Sequence, residues 1–284
     1  MTPKKKKQLQ IAACMVRMGI VASTHSAKSG HPGGSLSAAD LFTYLYFEEL
    51  NVDPKNPKWE DRDRFVLSKG HTAPGLYSAL AQRGFFPVED LVTLRHVGSY
   101  LQGHPNMNSV PGVDMSTGSL GQGISCAAGM ALGLKHQGKD ARVYTLLGDG
   151  EIQEGQVWEA CMLASHYNLD NLCVIVDNNG LQIDGRVVDV MNPHPIDKKL
   201  EAFGCEVICC DGNDFDALEA AFAAARAVTG KPAAILMTTV KGKGVSFMED
   251  QAGWHGKAPN DEQYAQAMAE LNAQLAELEV QSNG

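Results

Sequence analysis

Two apolar segments of the chain are each followed directly by polar residues that can bind a metal ion or a phosphate. The segment 143–147 runs into Gly-Asp-Gly at 148–150, and the segment 172–176 runs into Asp-Asn-Asn-Gly at 177–180. Carboxylate and amide oxygens are ligands that Mg²⁺ accepts, and glycines let backbone N–H groups approach a phosphate closely. The pattern predicts a magnesium–diphosphate site, which leaves metal positions for phosphate oxygens and water, rather than a calcium site enclosed by protein ligands.

The elements that position these residues can be predicted from an alternation of short apolar runs and segments of helical periodicity. Continuous apolar runs are typical of strands buried on both faces of a parallel sheet. We predict strands at 64–67, 143–147, 172–176, 206–210 and 233–239. We predict helices at 8–27, 36–48, 75–83, 88–97, 122–136, 155–167, 214–228 and 261–279. The fold class is therefore α/β, a doubly wound parallel sheet with helices on both faces, in which ligands bind where the strands end.

The two polar segments are expected to lie close together. Parallel strands joined by a single crossover are often neighbours in the sheet, so the loops after 147 and 176 should face each other. No interior linker rich in proline, serine or charge divides the chain. We expect one domain over residues 1–284, with a C-terminal helical tail from about residue 260.

Three local signals predict how helices and turns are fixed. Ser37, with Asp40 three residues later, fits a capping box at the start of a helix. The Asn-Asp pair at 213–214 is placed to cap the alanine-rich helix that follows it. Arg62 and Asp63 are interpreted as an ion pair that stabilises a turn.

The amino-acid composition is typical of a globular protein, with an excess of negative charge. The 284 residues include 44% hydrophobic and 20% charged residues, and the formal net charge is −9. We expect no nucleic-acid partner, because proteins that bind nucleic acid usually carry a basic surplus. We also expect no membrane partner, since no apolar run approaches the roughly 18 residues that a membrane span needs.

The cysteines and the N-terminus point to a reducing compartment. The seven cysteines show no CxxC or CxxH spacing, so neither a disulfide framework nor a zinc site is predicted. The lysine run at 4–7 is not followed by the apolar stretch of a secretory signal. We therefore expect free thiols and a cytoplasmic location.

The motifs, taken in order, resemble the transketolase family, and the spacing from Gly-Asp-Gly to the asparagines resembles the thiamine diphosphate fingerprint. The resemblance extends from about residue 9 to about residue 260. It rests on Ser-Gly-His-Pro-Gly at 29–33, Asp-Arg-Asp-Arg-Phe-Val-Leu-Ser-Lys-Gly-His at 61–71, Gly-His-Pro at 103–105, Thr-Gly-Ser-Leu-Gly-Gln-Gly at 117–123, Gly-Asp-Gly-Glu-Ile-Gln-Glu-Gly at 148–155, Trp-Glu-Ala at 158–160 and Trp-His-Gly at 254–256. No Gly-x-Gly-x-x-Gly follows a predicted strand, so the dinucleotide-binding fingerprint is missing.

This resemblance implies a thiamine diphosphate-binding fold and a magnesium site. Mg²⁺ would be held by Asp149, by the side chain of Asn179 and by the backbone oxygen of Leu181. Diphosphate oxygens and water would complete the octahedral arrangement that magnesium prefers.

The resemblance also implies a set of residues around the cofactor. They are His71, Gly118, Leu120, Gly148, Asp149, Gly150, Glu151, Asn179, Leu181, Ile183 and His255. Within this set, His71, His255 and the backbone at 150 would contact the diphosphate. Gly118 and Leu120 would touch the aminopyrimidine ring, and residue 183 would lie near the thiazolium ring.

Catalytic roles follow from the same resemblance. Four histidines would face the reacting carbons of the substrate, namely His31, His71, His104 and His255. Imidazoles suit proton transfer between sugar hydroxyls and carbonyls near neutral pH. Glu154 matches a glutamate that lies at the subunit interface and meets the glutamate that activates the cofactor. Alternatively, Glu154 only begins a helix, where the helix dipole favours a carboxylate.

The resemblance is restricted to the first of the three domains that complete transketolases have. We therefore expect the N-terminal subunit of a split transketolase, completed by a C-terminal subunit that carries the pyrimidine-binding domain, in an assembly with two copies of each chain. That partner would supply the activating glutamate and the residues that grip a sugar phosphate. The implied reaction moves a two-carbon ketol unit from a ketose, or its phosphate, to an aldose, in the pentose phosphate pathway or other carbohydrate metabolism.

Two other interpretations stay open on the sequence. One is the α subunit of another split thiamine diphosphate enzyme, such as a 2-oxo-acid dehydrogenase or a relative of deoxyxylulose-phosphate synthase. The other is a domain that binds the cofactor or a partner without catalysis. Gln-Glu-Gly at 153–155 and Gly-His-Pro-Gly at 30–33 favour transketolase.

Overall fold

A five-stranded parallel sheet organises the fold in this computed structural model, which describes residues 1–280. The strands are β1 (Arg64–Leu67), β2 (Val143–Gly148), β3 (Leu172–Asn178), β4 (Leu181–Gln182), β5 (Gly185–Arg186), β6 (Glu206–Asp211) and β7 (Ala233–Thr238). The sheet has the order β1-β2-β3-β7-β6, and all of its neighbouring strands run parallel. A separate antiparallel hairpin consists of β4 and β5. The five predicted strands are thus confirmed to within two residues.

Helices flank the sheet. They are α1 (Pro3–Ala27), α2 (Pro32–Ser37), α3 (Ala39–Tyr44), α4 (Ala73–Arg83), α5 (Gln122–His136), α6 (Gly155–His166), α7 (Val187–Val190), α8 (Ile196–Ala202), α9 (Phe215–Ala227) and α10 (Asp261–Val280). Short 3₁₀ or π turns lie at Leu45–Glu49, Gly70–Thr72, Val88–Thr93, Glu151–Gln153 and Ala252–Trp254. In the part of the chain that the structure describes, no helix combines the length and the apolarity that crossing a membrane requires.

The helices cover both faces of the sheet and create two apolar cores. Along β2, Tyr144 and Leu146 point into a core that includes residues of α1, α4 and α9. Val143 and Leu147 point the other way, into a core shared with α5, α6 and α8. Side chains alternate between the two faces of a strand, so an uninterrupted apolar run is what two covered faces require. The predicted α/β fold class is confirmed.

The prediction that all five strands are buried on both faces is wrong for β6. This strand lies at the edge of the sheet and pairs only with β7. Glu206, Cys209 and Asp211 are exposed, and the residues between them are half-buried. The apolar run at 207–210 is similar to that of a central strand, so the run itself does not predict this exposure.

The predicted helix at 36–48 is interrupted, and the prediction of a capping box at Ser37 and Asp40 is wrong. Ala38 separates α2 from α3, and Ser37 is the last residue of α2. The Ser37 hydroxyl donates to the carboxylate of Asp177 (2.6 Å), which is distant in sequence. Asp40 instead accepts a hydrogen bond from Arg17 (2.6 Å). Both polar side chains serve long-range contacts, which a local capping pattern does not predict.

The remaining helix predictions vary in accuracy. Asp214 caps α9 as predicted, because its side chain accepts from the backbone N–H of Asp216 (3.1 Å). The predicted helix at 88–97 is wrong, since the chain makes only a 3₁₀ turn over Val88–Thr93. At the N-terminus, α1 starts at Pro3, earlier than predicted.

The predicted ion pair between Arg62 and Asp63 is also wrong. Arg62 pairs with Asp114, a buried carboxylate. Asp63 accepts from the backbone N–H groups of Asn51 (2.9 Å) and Arg142 (2.8 Å). A buried carboxylate needs donors, and here the tertiary fold supplies them from segments that are remote in sequence.

Helix α5 packs unusually close to the loop that follows β1. A Cβ atom added at Gly123 would lie 2.6 Å from the Cα of Ser68, which is a backbone atom and cannot rotate away. Gly129 is on the same helix, but a Cβ added there would meet no atom within 4 Å. The first glycine is therefore required by packing, whereas the second is not.

We predict that Gly123→Ala destabilises the chain by about 1–3 kcal/mol, the usual cost of overpacking a core. Gly129→Ala on the same helix should leave stability unchanged or raise it by up to about 1 kcal/mol, since alanine favours helix more than glycine does. Urea unfolding followed by circular dichroism measures both variants. Equal stability of the two variants would contradict this account of the packing.

Candidate cofactor-binding and active site

A cavity of about 350 Å³ lies where β1, β2 and β3 end. Its wall includes every predicted site residue except His104. Those residues are His31, His71, Gly118, Leu120, Gly148, Asp149, Gly150, Glu151, Glu154, Asn179, Leu181, Ile183 and His255. Segments that are far apart in the sequence thus meet in one place. Lys69 and Lys241, which the sequence analysis did not identify as site residues, also line this cavity.

The strand ends of β2 and β3 are joined through Asp149. Its carboxylate accepts from the backbone N–H of Gly150 (2.8 Å) and from that of Gly180 in the next loop (2.5 Å). The Asn179 side-chain oxygen accepts from the N–H of Leu181 (3.1 Å). Burial, together with the nearby negative charge of Asp177, raises the pKa of Asp149 to about 6. These surroundings disfavour the charge on Asp149, which a bound cation would stabilise.

Asp177 lies beneath this loop pair and is completely buried. Its carboxylate is paired with the ammonium group of Lys69 and accepts from the Thr239 hydroxyl. It also accepts from Ser37 (2.6 Å) and from the side-chain amide of Asn179 (3.2 Å). Burial opposes ionisation of Asp177, but these donors outweigh it and hold the pKa below its usual value. The amide contact turns the Asn179 oxygen away from Asp177.

Lys241 contributes a second buried ammonium group to the cavity. Its Nζ lies 3.1 Å from the Leu181 carbonyl oxygen and 3.0 Å from Nδ1 of His255. Burial, with added repulsion from Lys69, lowers the pKa of Lys241 to about 8. Lys69 and Lys241 thus bring two buried ammonium groups to the wall that also carries the carboxylates of Asp149 and Glu151, so this wall presents charges of both signs.

The oxygen atoms around Asp149 fit a hard cation that takes its remaining ligands from outside the protein. One carboxylate, one amide oxygen and one backbone carbonyl are available, and the Leu181 carbonyl has a second lone pair beside its bond to Lys241. Among residues 1–280 there is no group of three or more His, Cys, Asp or Glu side chains arranged to hold a metal ion. A cation here would therefore depend on oxygens of a bound ligand and of water.

Three histidines form a cluster beside Lys241 in the same cavity. The ring centroids of His31, His71 and His255 are 5.1–5.5 Å apart. Burial is the main cause that lowers the pKa of His31 to about 4 and that of His255 to about 3, and it lowers the pKa of His71 too. All three rings are neutral at pH 7, and Nδ1 of His31 is buried without a partner. A bound ligand can supply that partner.

His104 lies just outside the cavity wall, behind Gly118. A Cβ added at Gly118 would be 3.1 Å from the His104 ring, so the glycine lets the ring approach the cavity. The hydroxyl of Tyr77 donates to the His104 carbonyl (3.0 Å) and fixes its backbone. Burial lowers the pKa of His104 below its usual value. The structure thus places His104 beside the other histidines but not in contact with the cavity itself.

Glu151 and Glu154 differ in what surrounds them. Glu151 is buried, and its oxygens accept from the Ser68 hydroxyl (2.5 Å) and from the N–H groups of Gly121 (2.9 Å) and Gly148 (3.0 Å). It therefore ties three cavity loops together. Glu154 is exposed and begins α6, and its side chain makes no capping hydrogen bond.

The rim of the cavity is open and apolar in places. Leu120 is 38% exposed, Ile183 is 69% exposed and Met191 is 62% exposed. Gln153 holds the rim together by donating to Gln182 (2.8 Å) and to the Met191 carbonyl (2.6 Å). Large apolar side chains around a cavity mouth are typical of a surface that another chain or ligand covers.

Three charged residues at the cavity were not predicted as site residues, although their positions in the sequence could have indicated them. Lys69 stands two residues before His71 in a motif that was recognised, and Asp177 stands two residues before Asn179. Lys241 follows β7 by three residues, at the same edge of the sheet as the other strand ends. A search for charged residues after every predicted strand would have found all three.

Comparisons with known proteins agree with this geometry. The sequence model of a family described as "Transketolase, thiamine diphosphate binding domain" matches residues 8–282. A 6-deoxy-6-sulfo-D-fructose transketolase subunit from Clostridium sp. (strain MSTE9) is 45% identical, over 87% of this chain and 90% of that protein. An apulose-4-phosphate transketolase subunit from Actinobacillus succinogenes is 42% identical, over 92% of this chain and 94% of that protein.

A solved structure gives the same result for the fold. The transketolase of Campylobacter jejuni superposes with a TM-score of 0.88 at 33% identity, and the match covers 98% of this chain but only 46% of that one. The chain thus spans nearly the whole length of the subunit relatives and less than half of this solved transketolase. The predicted resemblance to an N-terminal transketolase subunit is confirmed. The chain belongs to the transketolase family, in the part of that family that binds thiamine diphosphate.

Proposed function

We propose that this chain is the cofactor-binding subunit of a two-chain transketolase that transfers a two-carbon ketol unit with thiamine diphosphate and Mg²⁺. The observation that carries the proposal is the cavity itself, whose wall brings Asp149, Asn179 and two lysines together with three neutral histidines. The relatives described above are transketolases, which favours ketol transfer over the 2-oxo-acid dehydrogenase and deoxyxylulose-phosphate synthase alternatives.

The residues present fit the diphosphate end of the cofactor. Asp149, the Asn179 side chain and the Leu181 carbonyl would hold Mg²⁺, and Lys69 and Lys241 would add positive charge toward the diphosphate. When bound, the cofactor supplies the carbon nucleophile and the electron sink for cleavage next to a carbonyl group. The predicted contacts of Gly118, Leu120 and Ile183 with the organic rings remain proposals, supported by the positions of these residues on the cavity wall.

The chain's own contribution to the reaction is binding, orientation and proton transfer. Since Nδ1 of His255 faces the Lys241 ammonium at 3.0 Å, its proton is held on Nε2, which can donate to a substrate oxygen. His31 and His71 are neutral and can therefore either give or take a proton. His104 would join them once substrate fills the space in front of Gly118.

The rest of the site would come from a second chain. We propose a C-terminal subunit that supplies the cofactor-activating glutamate, meets Glu154, covers the apolar rim and forms an α2β2 assembly in the cytoplasm. The exposed positions of Leu120, Ile183 and Glu154 support such a contact. Two relatives are named for a sulfonated ketose and a ketose phosphate, so we propose an anionic ketose as the substrate class.

Asp149→Ala is expected to abolish Mg²⁺-dependent binding of thiamine diphosphate, because it removes the one carboxylate in the proposed metal site. Calorimetric titration of the reconstituted two-chain complex measures this directly. Asp140→Ala is the control, since Asp140 is an exposed residue before β2, at the other end of the same strand. Unchanged cofactor affinity in Asp149→Ala would contradict the proposal that Asp149 binds the metal ion.

His31→Ala and His104→Ala are each expected to lower kcat by about 10²–10⁴-fold, as loss of a proton-transfer group usually does. Cofactor affinity should change far less, because neither residue faces the diphosphate end. Steady-state kinetics with a ketose donor, paired with titration of the cofactor, separates the two effects. His166→Ala, at an exposed position on α6, should behave as wild type. A variant that retains full kcat shows that its histidine has no part in the reaction.

The purified chain alone is expected to be inactive and to gain activity only with its partner subunit. The physical reason is that a cavity open on one side holds only part of a cofactor and leaves the reacting atoms in water. Light scattering after size-exclusion chromatography, together with a ketol-transfer assay with and without the partner, tests this. Steady turnover by this chain alone would refute the two-chain proposal.

A further inference from the structure

The side chain of Arg95 contacts both of the loops that carry substrate-side histidines. We define the His31 loop as residues 28–31, between α1 and α2, and the His104 loop as residues 101–105. The Arg95 guanidinium donates to the Ser29 hydroxyl (2.9 Å), two residues before His31. It also lies over Gly103, where an added Cβ would be 2.9 Å from Cζ and Nε of the arginine. One side chain therefore spans the gap between the two loops.

Arg95 is held in a conformation that needs an explanation. Its φ is +61°, in the left-handed region that bulky residues rarely adopt. Its backbone N–H donates to the Leu101 carbonyl (2.8 Å), which anchors it to the start of the His104 loop. Unfavourable backbone conformations of this kind persist where the surroundings over-determine them, and they cluster at functional sites.

The charge of Arg95 has no acidic partner in the described chain. None of the ion pairs among residues 1–280 includes it, and its Nε is buried without a hydrogen-bond partner. A cation that only packed the fold together would normally be paired or better hydrated. Its positive charge instead acts on the imidazoles of His31 and His104.

The electrostatic effect on the histidines agrees with the contacts. After burial, the positive charge of Arg95 is the next cause that lowers the pKa of both His31 and His104. His104 and Lys241 also face His31, as do the rings of His71 and His255. The groups around both histidines thus favour the neutral ring, which is the form that can accept a proton.

We propose that Arg95 is a positioning residue that holds the His31 loop and the His104 loop at a fixed separation on the substrate side of the cavity. The substrate role of the two histidines rests on the proposed function, whereas the bridge between the loops does not. Arg95 needs no contact with substrate or cofactor for this. A planar guanidinium is suited to the task, because it can lie flat on a glycine and donate from its edge at the same time.

The test compares Arg95→Gln and Arg95→Lys with Arg83→Gln. Arg83 is a control of the same type, since it also donates to a backbone carbonyl (Tyr46, 2.9 Å) and lies against an aromatic ring, but away from the histidines. In the reconstituted complex, Arg95→Gln should lower kcat by about 10²-fold, the order expected for a misplaced catalytic group. The cofactor dissociation constant should stay within about twofold of wild type, and Arg95→Lys should recover part of the loss because it keeps the charge.

A second measurement does not depend on activity. The ring C–H signals of histidine, recorded by NMR on the full chain with labelled histidines, report the surroundings of each imidazole. The signals of His31 and His104 should move or broaden in Arg95→Gln, while those of the exposed His136 and His166 should stay in place. Arg83→Gln should move none of them.

The possible results distinguish the bridging role of Arg95 from the proposed function of the chain. Unmoved signals of His31 and His104 in Arg95→Gln would overturn the bridging role, whatever the activity. Moved signals with equal losses in kcat and in cofactor affinity would overturn it too, since the arginine would then support the cofactor end. If the wild-type complex shows no ketol transfer, the proposed function fails, and the NMR comparison still decides whether Arg95 holds the two loops together.

Discussion

The carboxylate of Asp177, completely buried at the end of β3, is bonded to four other side chains. Lys69 reaches it from the loop after β1, Ser37 from the end of α2, Asn179 from its own loop and Thr239 from the end of β7. A charge can stay in the interior only if such partners surround it, and removing one partner of a buried pair costs about 3–5 kcal/mol. The strand-end loops are therefore not independent of one another. Their relative positions are fixed by the need to satisfy one carboxylate.

This constraint brings charged groups and neutral imidazoles together in one cavity. The ammonium group of Lys69 is paired with Asp177, and that of Lys241 lies beside the Leu181 carbonyl and His255, so charges of both signs surround the place where a diphosphate and its cation would lie. Burial, together with these positive charges, keeps His71 and His255 neutral. The cavity thus combines buried charged groups with uncharged imidazoles that can exchange protons.

The register of the strands and the hydrogen bonds of Glu151 also position the loops of the site. The register of the sheet sets Gly148 beside Asp177, so the loops after β2 and β3 begin at the same level. Glu151 then bonds to the loops at Ser68 and Gly121, which ties the first turn after β2 to its neighbours. The site is rigid where these bonds converge and open at the rim, where apolar side chains are left for a second surface to cover.

The sequence by itself determined the strands, the strand-end motifs and the types of residue at the site. Apolar β-runs are local signals, and the parallel crossover rule was enough to bring Asp149 and Asn179 together. The family of the chain could also be predicted, because its motifs occur in order along most of the length. The residues that the motifs assign to the site line one cavity, except His104, which lies just behind the wall, and their roles stay predictions.

Only the tertiary structure decided which charged groups pair and which strand lies at the edge. Lys69 and Asp177 are 108 residues apart in sequence, and Arg62 pairs with Asp114 rather than with its neighbour Asp63. The edge position of β6 follows from strand order, which its apolar run does not encode. Periodicity and spacing describe a residue's own element, whereas the partner of a buried charge is selected by the packing of elements that lie far away along the chain.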